Sequence, residues 1–372
     1  MGKAAQQKKQ KKLEKKAVSV EDLPFVSICT PTYNRRPFIP YIIKCFEHQT
    51  YPREKMEWII IDDGTDKVED LFAHLPYVKY YRYEEKMLLG RKRNLMHEKA
   101  SGDIIVYMDD DDYYPPERVS HAVETLQKNN RALCAGSSRL HLYFKHIGKM
   151  YEFGPYGPNH ATAATFAFKR ELLKQTKYDD TQTLAEERKF LKEYTIPFVQ
   201  LNPLKTILVF SHIQNSFDKK ILLENKNDPN IRECSIRVED YVKEEDIKHF
   251  FMEDIDGILS SYEPGNPENK KDVMKQLNEI TEKRHKMIAE HQKALEAQHL
   301  QDMKMKKPQE YIAMIDNKMN EQTIMLQNLI NENNALKERN KLLEERLRKY
   351  VEEQVERLKK EKEQGNVFKI PV

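Results

Sequence analysis

Four consecutive aspartates, Asp109-Asp110-Asp111-Asp112, directly follow the apolar run Ile104-Ile105-Val106-Tyr107-Met108. In extended backbone, alternate side chains share a face, so Asp109 and Asp111 would point one way and Asp110 the other. Two carboxylates converging at the end of a buried strand repel each other unless a cation lies between them. Hard divalent ions take carboxylate and phosphate oxygens together. An acidic surface turn is the plain reading of any such run, but here the preceding apolar residues tie it to a sheet. A second acidic cluster, Asp62-Asp63-Gly64-Thr65, follows Trp58-Ile59-Ile60-Ile61. Alone it reads as an ordinary turn. Beside the first cluster, its carboxylates could accept a hydrogen bond from a base N–H or a ribose hydroxyl. Arg91, Lys92 and Arg93 could meet phosphates, or Arg91 and Lys92 could lie on a solvated helix face.

The elements that would position these groups alternate. Strands are expected at 25–30 (closed by Pro31), 57–61, 78–83 and 103–108. Helices are expected at 37–49, 66–75 and 90–100, the last stopped by Gly102. Apolar, non-alternating strands separated by helices argue for an α/β sheet covered on both faces. The polar residues collect after the strands' C-terminal ends, where open α/β sheets place ligands. The pattern continues to about residue 223, with strand-like pieces at 163–168 and 206–211 and helices near 169–176 and 184–194. Thr183-Leu184-Ala185-Glu186 fits a capping box, with Thr183 as the cap and Glu186 returning a bond, which would leave Glu187 free in the first turn.

Composition sets the remainder. Of 372 residues, 33% are charged and 39% hydrophobic, against about 25% and 45–50% in ordinary globular chains. That balance implies one packed domain plus a long solvated helical part. Basic and acidic residues number 63 and 60, so no specific nucleic-acid partner is expected. No apolar run approaches the ~20 residues of a membrane helix, and the N-terminus lacks a signal-like apolar stretch. The expectation is a cytoplasmic protein, neither secreted nor transmembrane. Residues 1–22 read as a disordered basic tail, 23–223 as the α/β domain, 224–262 as an unassigned extension and 268–307 as a helical segment. Residues 309–361 read as a coiled coil. With heptad position a at Ile312, Met319, Leu326, Asn333, Asn340 and Leu347, position d falls on Ile315, Gln322, Leu329, Leu336, Leu343 and Tyr350. A single amphipathic helix packed on the domain is the alternative. Asn333 and Asn340 at a, with leucines at neighbouring d sites, favour two parallel strands and hence a parallel homodimer.

Several pieces together carry a resemblance. These are Val26-Ser27-Ile28-Cys29-Thr30-Pro31-Thr32-Tyr33-Asn34-Arg35, Ile60-Ile61-Asp62-Asp63-Gly64-Thr65, Gly90-Arg91-Lys92-Arg93-Asn94 running to Ala100-Ser101-Gly102-Asp103, and the aspartate run. In this order and spacing the chain resembles the family 2 glycosyltransferases over about residues 23–220. With its coiled coil it is more loosely similar to glycosyltransferases of large DNA viruses, which would place it in host cytoplasm or virion. The resemblance implies the GT-A fold, a Rossmann-like α/β domain, and transfer of a sugar from a nucleotide diphosphate sugar. It implies inversion at the sugar and a Mn²⁺ or Mg²⁺ cofactor.

Carried onto this chain, the resemblance implies Asp109 and Asp111 as the metal-binding DxD pair, with Asp110 between them on the donor side. Asp63 would read the base, flanked by Thr30, Pro31 and Tyr33, and Arg93 would lie near the nucleotide. Glu186-Glu187 falls on the family's Glu-Asp catalytic pair, with Glu replacing Asp, so the base could be either residue, Glu187 being the one the capping argument frees. His212 would complete the metal site, although a lone histidine after a strand is more often simply a satisfied polar group. His160 falls where the family contacts its acceptor, whose identity (glycan, protein or small molecule) is left open. Two rival readings stay open, a non-enzymatic scaffold dimerised by its coil and a nucleotidyltransferase. All the residues so assigned precede position 213, so a chain cut after Tyr262 would keep them.

Overall fold

The computed structural model describes residues 19–184, 186–215, 218–224 and 228–363, without the side chains of 284 and 361–363. The tail expected over residues 1–22 falls outside this description up to residue 18. Two compact units result, one ending at Thr281 and one starting at Glu282.

The strands of the first unit are β1 (Val26–Thr32), β2 (Met56–Asp62), β3 (Val78–Arg82), β4 (Ile104–Tyr107), β5 (Cys134–Gly136), β6 (Leu140–Phe144), β7 (Lys149–Phe153), β8 (Ala167–Lys169), β9 (Phe198–Gln200), β10 (Leu208–Ser211) and β11 (Ile231–Glu233). They form a seven-stranded sheet, β3-β2-β1-β4-β8-β5-β9, and a four-stranded sheet, β10-β6-β7-β11. In the large sheet β8 runs antiparallel to both β4 and β5, and the other pairs are parallel.

The central strands are apolar on both faces because each face meets a core. Val26, Ile28, Trp58, Ile60 and Val106 pack on one side with Ile42, Phe46 and Val119. Cys29, Ile59, Ile61, Ile105 and Tyr107 pack on the other with Leu95, Met96 and Phe190. The helices supplying those partners are Ile39–Glu47, Arg118–Lys128, Leu89–Lys99 and Glu187–Phe190. β1 lies between β2 and β4, so the connections diverge at its C-terminal end, the switch point where such sheets open a crevice.

Several local expectations shift. Pro31 does not close β1, which continues to Thr32 with Pro31 opposite Ile61. This is tolerated because β4 pairs with β1 only as far as Cys29, so the missing N–H of Pro31 costs no ladder bond on that side. The helix expected over 66–75 shrinks to Glu69–Phe72. The strand-like piece at 163–168 becomes a 3₁₀ turn, Ala163–Thr165, followed by β8, and the helix near 169–176 is 3₁₀ throughout, Arg170–Lys174. The helix expected over 184–194 is the single turn Glu187–Phe190. Lys192, Glu193 and Tyr194 follow with φ of 48°, 55° and 61°, a left-handed stretch that no helix can continue through.

Residues 228–262, within the segment left unassigned, pack into the core through Val238, Tyr241, Phe250, Phe251, Ile255 and Leu259. Beyond the 3₁₀ turns Glu263–Gly265 and Pro267–Asn269 comes the helix Lys271–Lys306, whose first turns belong to this unit. In the second unit the helix Pro308–Glu363 starts on a proline, where a missing N–H costs no helical bond. Its Leu326, Leu329, Leu336, Leu343 and Leu347 are all exposed.

Candidate active site

A cavity of about 440 Å³ opens at the C-terminal ends of β1 and β4. Pro31, Tyr33, Arg35, Lys92, Arg93, all four aspartates, Glu186 and Glu187 line it. The sequence-based set is thus largely brought together, but not by the alternation expected of the aspartates. β4 stops at Tyr107, and the run is a turn. Asp110 and Asp111 therefore both face Arg35, at 3.7 and 3.3 Å, while Asp109 faces Arg93 at 3.9 Å.

Burial and mutual repulsion set the protonation of these carboxyls. Asp110 and Asp112 are raised by burial first and by the charge of Asp111 second. Asp109 is raised by burial, against the pull of Arg93. Asp111 alone is held low: burial opposes ionisation, but the hydrogen bond to His212 and the charge of Arg35 outweigh it. The buried Oδ1 atoms of Asp109 and Asp112 have no hydrogen-bond partner among the described residues. His212 Nε2 lies 3.5 Å from Asp111. Burial depresses the imidazole to about 4, so the ring is neutral near pH 7, the form a metal ligand needs. Among the described residues no three acidic, histidine or cysteine side chains stand close enough to enclose a metal ion. The expected set is therefore an adjacent pair, Asp111 with His212, plus Asp109 turned towards Arg93.

Arg93 is 2% exposed. Its Nε donates to Glu186 Oε1 at 3.0 Å, and the guanidinium lies 4.5 Å from the centre of the Tyr107 ring. The capping box does not form: Glu186 is itself the residue before the helix, Thr183 Oγ1 has no hydrogen-bond partner among the described residues, and Glu186 is spent on Arg93. The underlying reason is the short helix, which starts too late for Thr183 to cap it. Glu187 lines the cavity, and burial, then the neighbouring Glu186 charge, push its carboxyl up to about 7. Gly90 lets the helix Leu89–Lys99 approach the loop before this pair, since a Cβ there would sit 1.9 Å from the Asp179 carbonyl oxygen.

Two donor-side residues are not at the cavity wall. Thr30 is fully buried, donating to the Met108 carbonyl at 2.6 Å and accepting from Trp58 Nε1 at 2.8 Å, so its hydroxyl knits β1 to its neighbours. Asp63 is held by Lys92 and by the Met87 N–H at 2.6 Å. Lys92 is thus buried, whereas Arg91 is exposed and pairs with Glu98 at 3.5 Å. His160 sits between the rings of Tyr156 and Tyr194, outside the lining set. Sequence reasoning gave no role to Arg35, Lys86, Lys219 or Lys270, all of which line the cavity. Arg35 lay within a quoted motif, but nothing local marked the other three. Lys270, Asp272 and Val273 also mean that a cut after Tyr262 removes part of the wall.

Among curated relatives, the chain is 24% identical over 115 residues to poly(ribitol-phosphate) beta-N-acetylglucosaminyltransferase TarS of Staphylococcus aureus, covering 28% of this chain and 19% of that protein. It is 28% identical over 120 residues to glycosyltransferase AglE of Haloferax volcanii, covering 31% and 40%. The chain spans less than half the length of these relatives. They are bacterial and archaeal, and nothing in them points to a viral source. Among solved structures, mannosyltransferase PcManGT of Pyrobaculum calidifontis with GDP-Man and Mn²⁺ is 19% identical, covering 50% of this chain and 56% of that one, with a TM-score of 0.41. Residues 27–184 match the family described as Glycosyl transferase family 2, a match that ends just before Glu186-Glu187. The match shows that the segment from β1 to the edge of the glutamate pair is similar to glycosyltransferase family 2 domains.

Proposed function

We propose that the protein is an inverting, metal-dependent glycosyltransferase of GT-A type, moving a sugar from a nucleotide diphosphate sugar to an acceptor hydroxyl. The observation that carries this is one cavity lined by the aspartate turn and by Glu187, whose carboxyl is pushed up to about 7, with His212 3.5 Å from Asp111 behind the wall. Glu187 would take the acceptor's proton, since a base works best with a pKa near the working pH. The acceptor oxygen would then attack the anomeric carbon from the side opposite the leaving diphosphate, which inverts the centre. Glu186, engaged by Arg93, would hold that arginine beside Asp109. The donor set suits a hard cation: an ionised Asp111, a neutral His212 and a buried, unpartnered Asp109 oxygen. Mn²⁺ or Mg²⁺ held there would offset charge on the leaving diphosphate. A screen of common nucleotide sugars with Mn²⁺ tests the reading. Release of a nucleoside diphosphate from at least one is expected, and release from none would favour a binding scaffold.

Nucleoside diphosphate affinity should depend on the cation. Calorimetry with UDP and GDP should show tighter binding when Mn²⁺ is present, and Asp111→Asn should remove most of that gain. Equal affinity with and without Mn²⁺ in the unaltered chain would sink the metal assignment.

The exposed leucines of the C-terminal helix support a parallel homodimer through residues 312–350, with Asn333 and Asn340 paired across the seam. Light scattering should report a dimer for the full chain and a monomer after truncation at Thr281, a cut that keeps the cavity wall intact. A full-length monomer at micromolar concentration would refute it. Asn333→Leu with Asn340→Leu should shift the population towards larger assemblies.

A further inference from the structure

Residues 262–276 lie outside the family 2 match but within the same compact unit. They are tied to it at several points. The Tyr262 hydroxyl donates to Asp66 at 2.8 Å, and Asn34 Nδ2 donates to the Pro264 carbonyl at 2.9 Å. Gly265 packs so closely on Gln214 that a Cβ would fall 2.0 Å from Gln214 Oε1. The helix Lys271–Lys306 then begins, and its first turns present Asp272 and Gln276, four residues apart and so on one face. Asp272 pairs with Lys86, and both line the cavity. Gln276 lies outside the lining set and reaches instead the loop that leads into Glu186-Glu187.

That loop is held from two sides. On one, the helix Leu89–Lys99 takes Tyr178 and Gln182. Asn94 accepts from the Tyr178 N–H at 3.0 Å and donates to the Tyr178 carbonyl at 2.9 Å, and the Gly90 N–H donates to the Gln182 carbonyl at 2.8 Å. On the other, Gln276 takes Thr181 and Thr183. Its Oε1 accepts from the Thr183 N–H at 2.7 Å, and its Nε2 donates to the Thr181 carbonyl at 2.9 Å. One side-chain amide thus spends both its acceptor and a donor on the loop backbone. Thr183 is buried and stands four residues ahead of Glu187, so this clamp fixes the entry to the single helical turn that carries the proposed base. The rest of that turn is held independently: Phe190 is fully buried, and Arg93 binds Glu186. Losing the clamp would therefore leave the fold standing and loosen the approach to Glu187.

We propose that Gln276 is a positioning residue for the base: it sets where Glu187 stands in the cavity while touching neither donor nor acceptor. This rests on the reading of Glu187 above and extends the site beyond the family 2 segment, to the first turns of the helix Lys271–Lys306. A base must stand within hydrogen-bond reach of the proton it takes. A displacement of about 1 Å can cost on the order of 10²-fold in rate. Because Asp272 lies one turn earlier on the same face, a single helical turn also sets the spacing between the Lys86 wall and the loop that carries the base.

Release of nucleoside diphosphate from UDP-glucose, UDP-N-acetylglucosamine and GDP-mannose with Mn²⁺ tests it on the full chain, water standing in for the acceptor hydroxyl. Gln276→Met keeps the length of the side chain and removes both bonds. For whichever donor the unaltered chain hydrolyses, it should slow release about ten- to hundredfold. Affinity for the matching nucleoside diphosphate, read by calorimetry, should stay unchanged. A double-mutant cycle gives the deciding readout. In a Glu187→Gln background, Gln276→Met should cause almost no further loss, because the group it places is already disabled. Gln276→Glu, which keeps an acceptor for the Thr183 N–H and loses the donor to Thr181, should fall between. If Gln276→Met melts below the assay temperature, Gln276→Glu is read in its place. A rate unchanged in the variant overturns the role of Gln276 and leaves the base standing. A loss of the same factor in both backgrounds also overturns it, since it marks damage independent of Glu187. Glu187→Gln without effect, or no release from any of the three donors by the unaltered chain, would instead strike the reading of Glu187 itself.

Discussion

Glu187→Gln is expected to slow sugar transfer by about 10²–10⁴-fold, the contribution typical of a general base. Gln keeps the size and polarity of the side chain and removes only its ability to take a proton. Nucleoside diphosphate affinity should hold, because the base acts on the acceptor. The pH profile adds a second readout. Burial and Glu186 push the Glu187 carboxyl up to about 7, and the base acts only when deprotonated. In the unaltered protein, the proposed transfer should therefore speed up as pH increases through about 7, and the residual rate of the variant should lose that limb. Steady-state kinetics across pH 5.5–8.5 decides it. If Glu186→Gln removes the limb and Glu187→Gln keeps it, the base is Glu186 and its ion pair with Arg93 must open during turnover.

Arg93→Ala should destabilise the first unit severely. The side chain is 3% exposed and faces two carboxylates, Glu186 at 3.0 Å and Asp109 at 3.9 Å. Removing one member of a buried ionic set costs about 3–5 kcal/mol, because the partners stay buried without compensation. The lost packing over Tyr107 adds to this. Against a typical total of about 5–15 kcal/mol, such a loss should lower the melting temperature on the order of 10 °C. Arg93→Lys should fall between, since lysine keeps the charge without the planar fork. Thermal unfolding followed by circular dichroism is the measurement. An unchanged melting temperature for Arg93→Ala would mean that Glu186 and Asp109 are solvated or paired elsewhere, and that the arginine serves the ligand rather than the fold.

Much of this architecture is legible along the chain because it is local. Short apolar runs such as Trp58-Ile59-Ile60-Ile61, bounded by turn residues, read as strands covered on both faces, and the acidic clusters after them fall where the sheet opens. The short strands β5, β6, β7, β9 and β11 left no comparable mark. Each has only three to five residues, too few to show a periodicity, whether the strand is a sheet edge (β9, β11) or interior (β5, β6, β7). Helix length was misjudged at 184–194 for a similar reason: the apolar spacing suits a helix, but the left-handed residues that end it are not glycines.

The sequence by itself determined the residue types at the site and the order of the elements that carry them. It also determined the heptad pattern of the C-terminal helix. Only the tertiary structure decided which atoms meet. It turned the aspartates into a bend, so that Asp110 joins Asp111 against Arg35 instead of pointing away. It buried Lys92 on Asp63 and left its neighbour Arg91 in solvent. It folded residues 262–276 back over the cavity and placed Lys270 beside Arg35, 235 positions earlier in the chain. The physical reason is the range of the forces. Backbone propensity and apolar periodicity act over a few residues, whereas burial and the pairing of charges depend on which distant segments pack together.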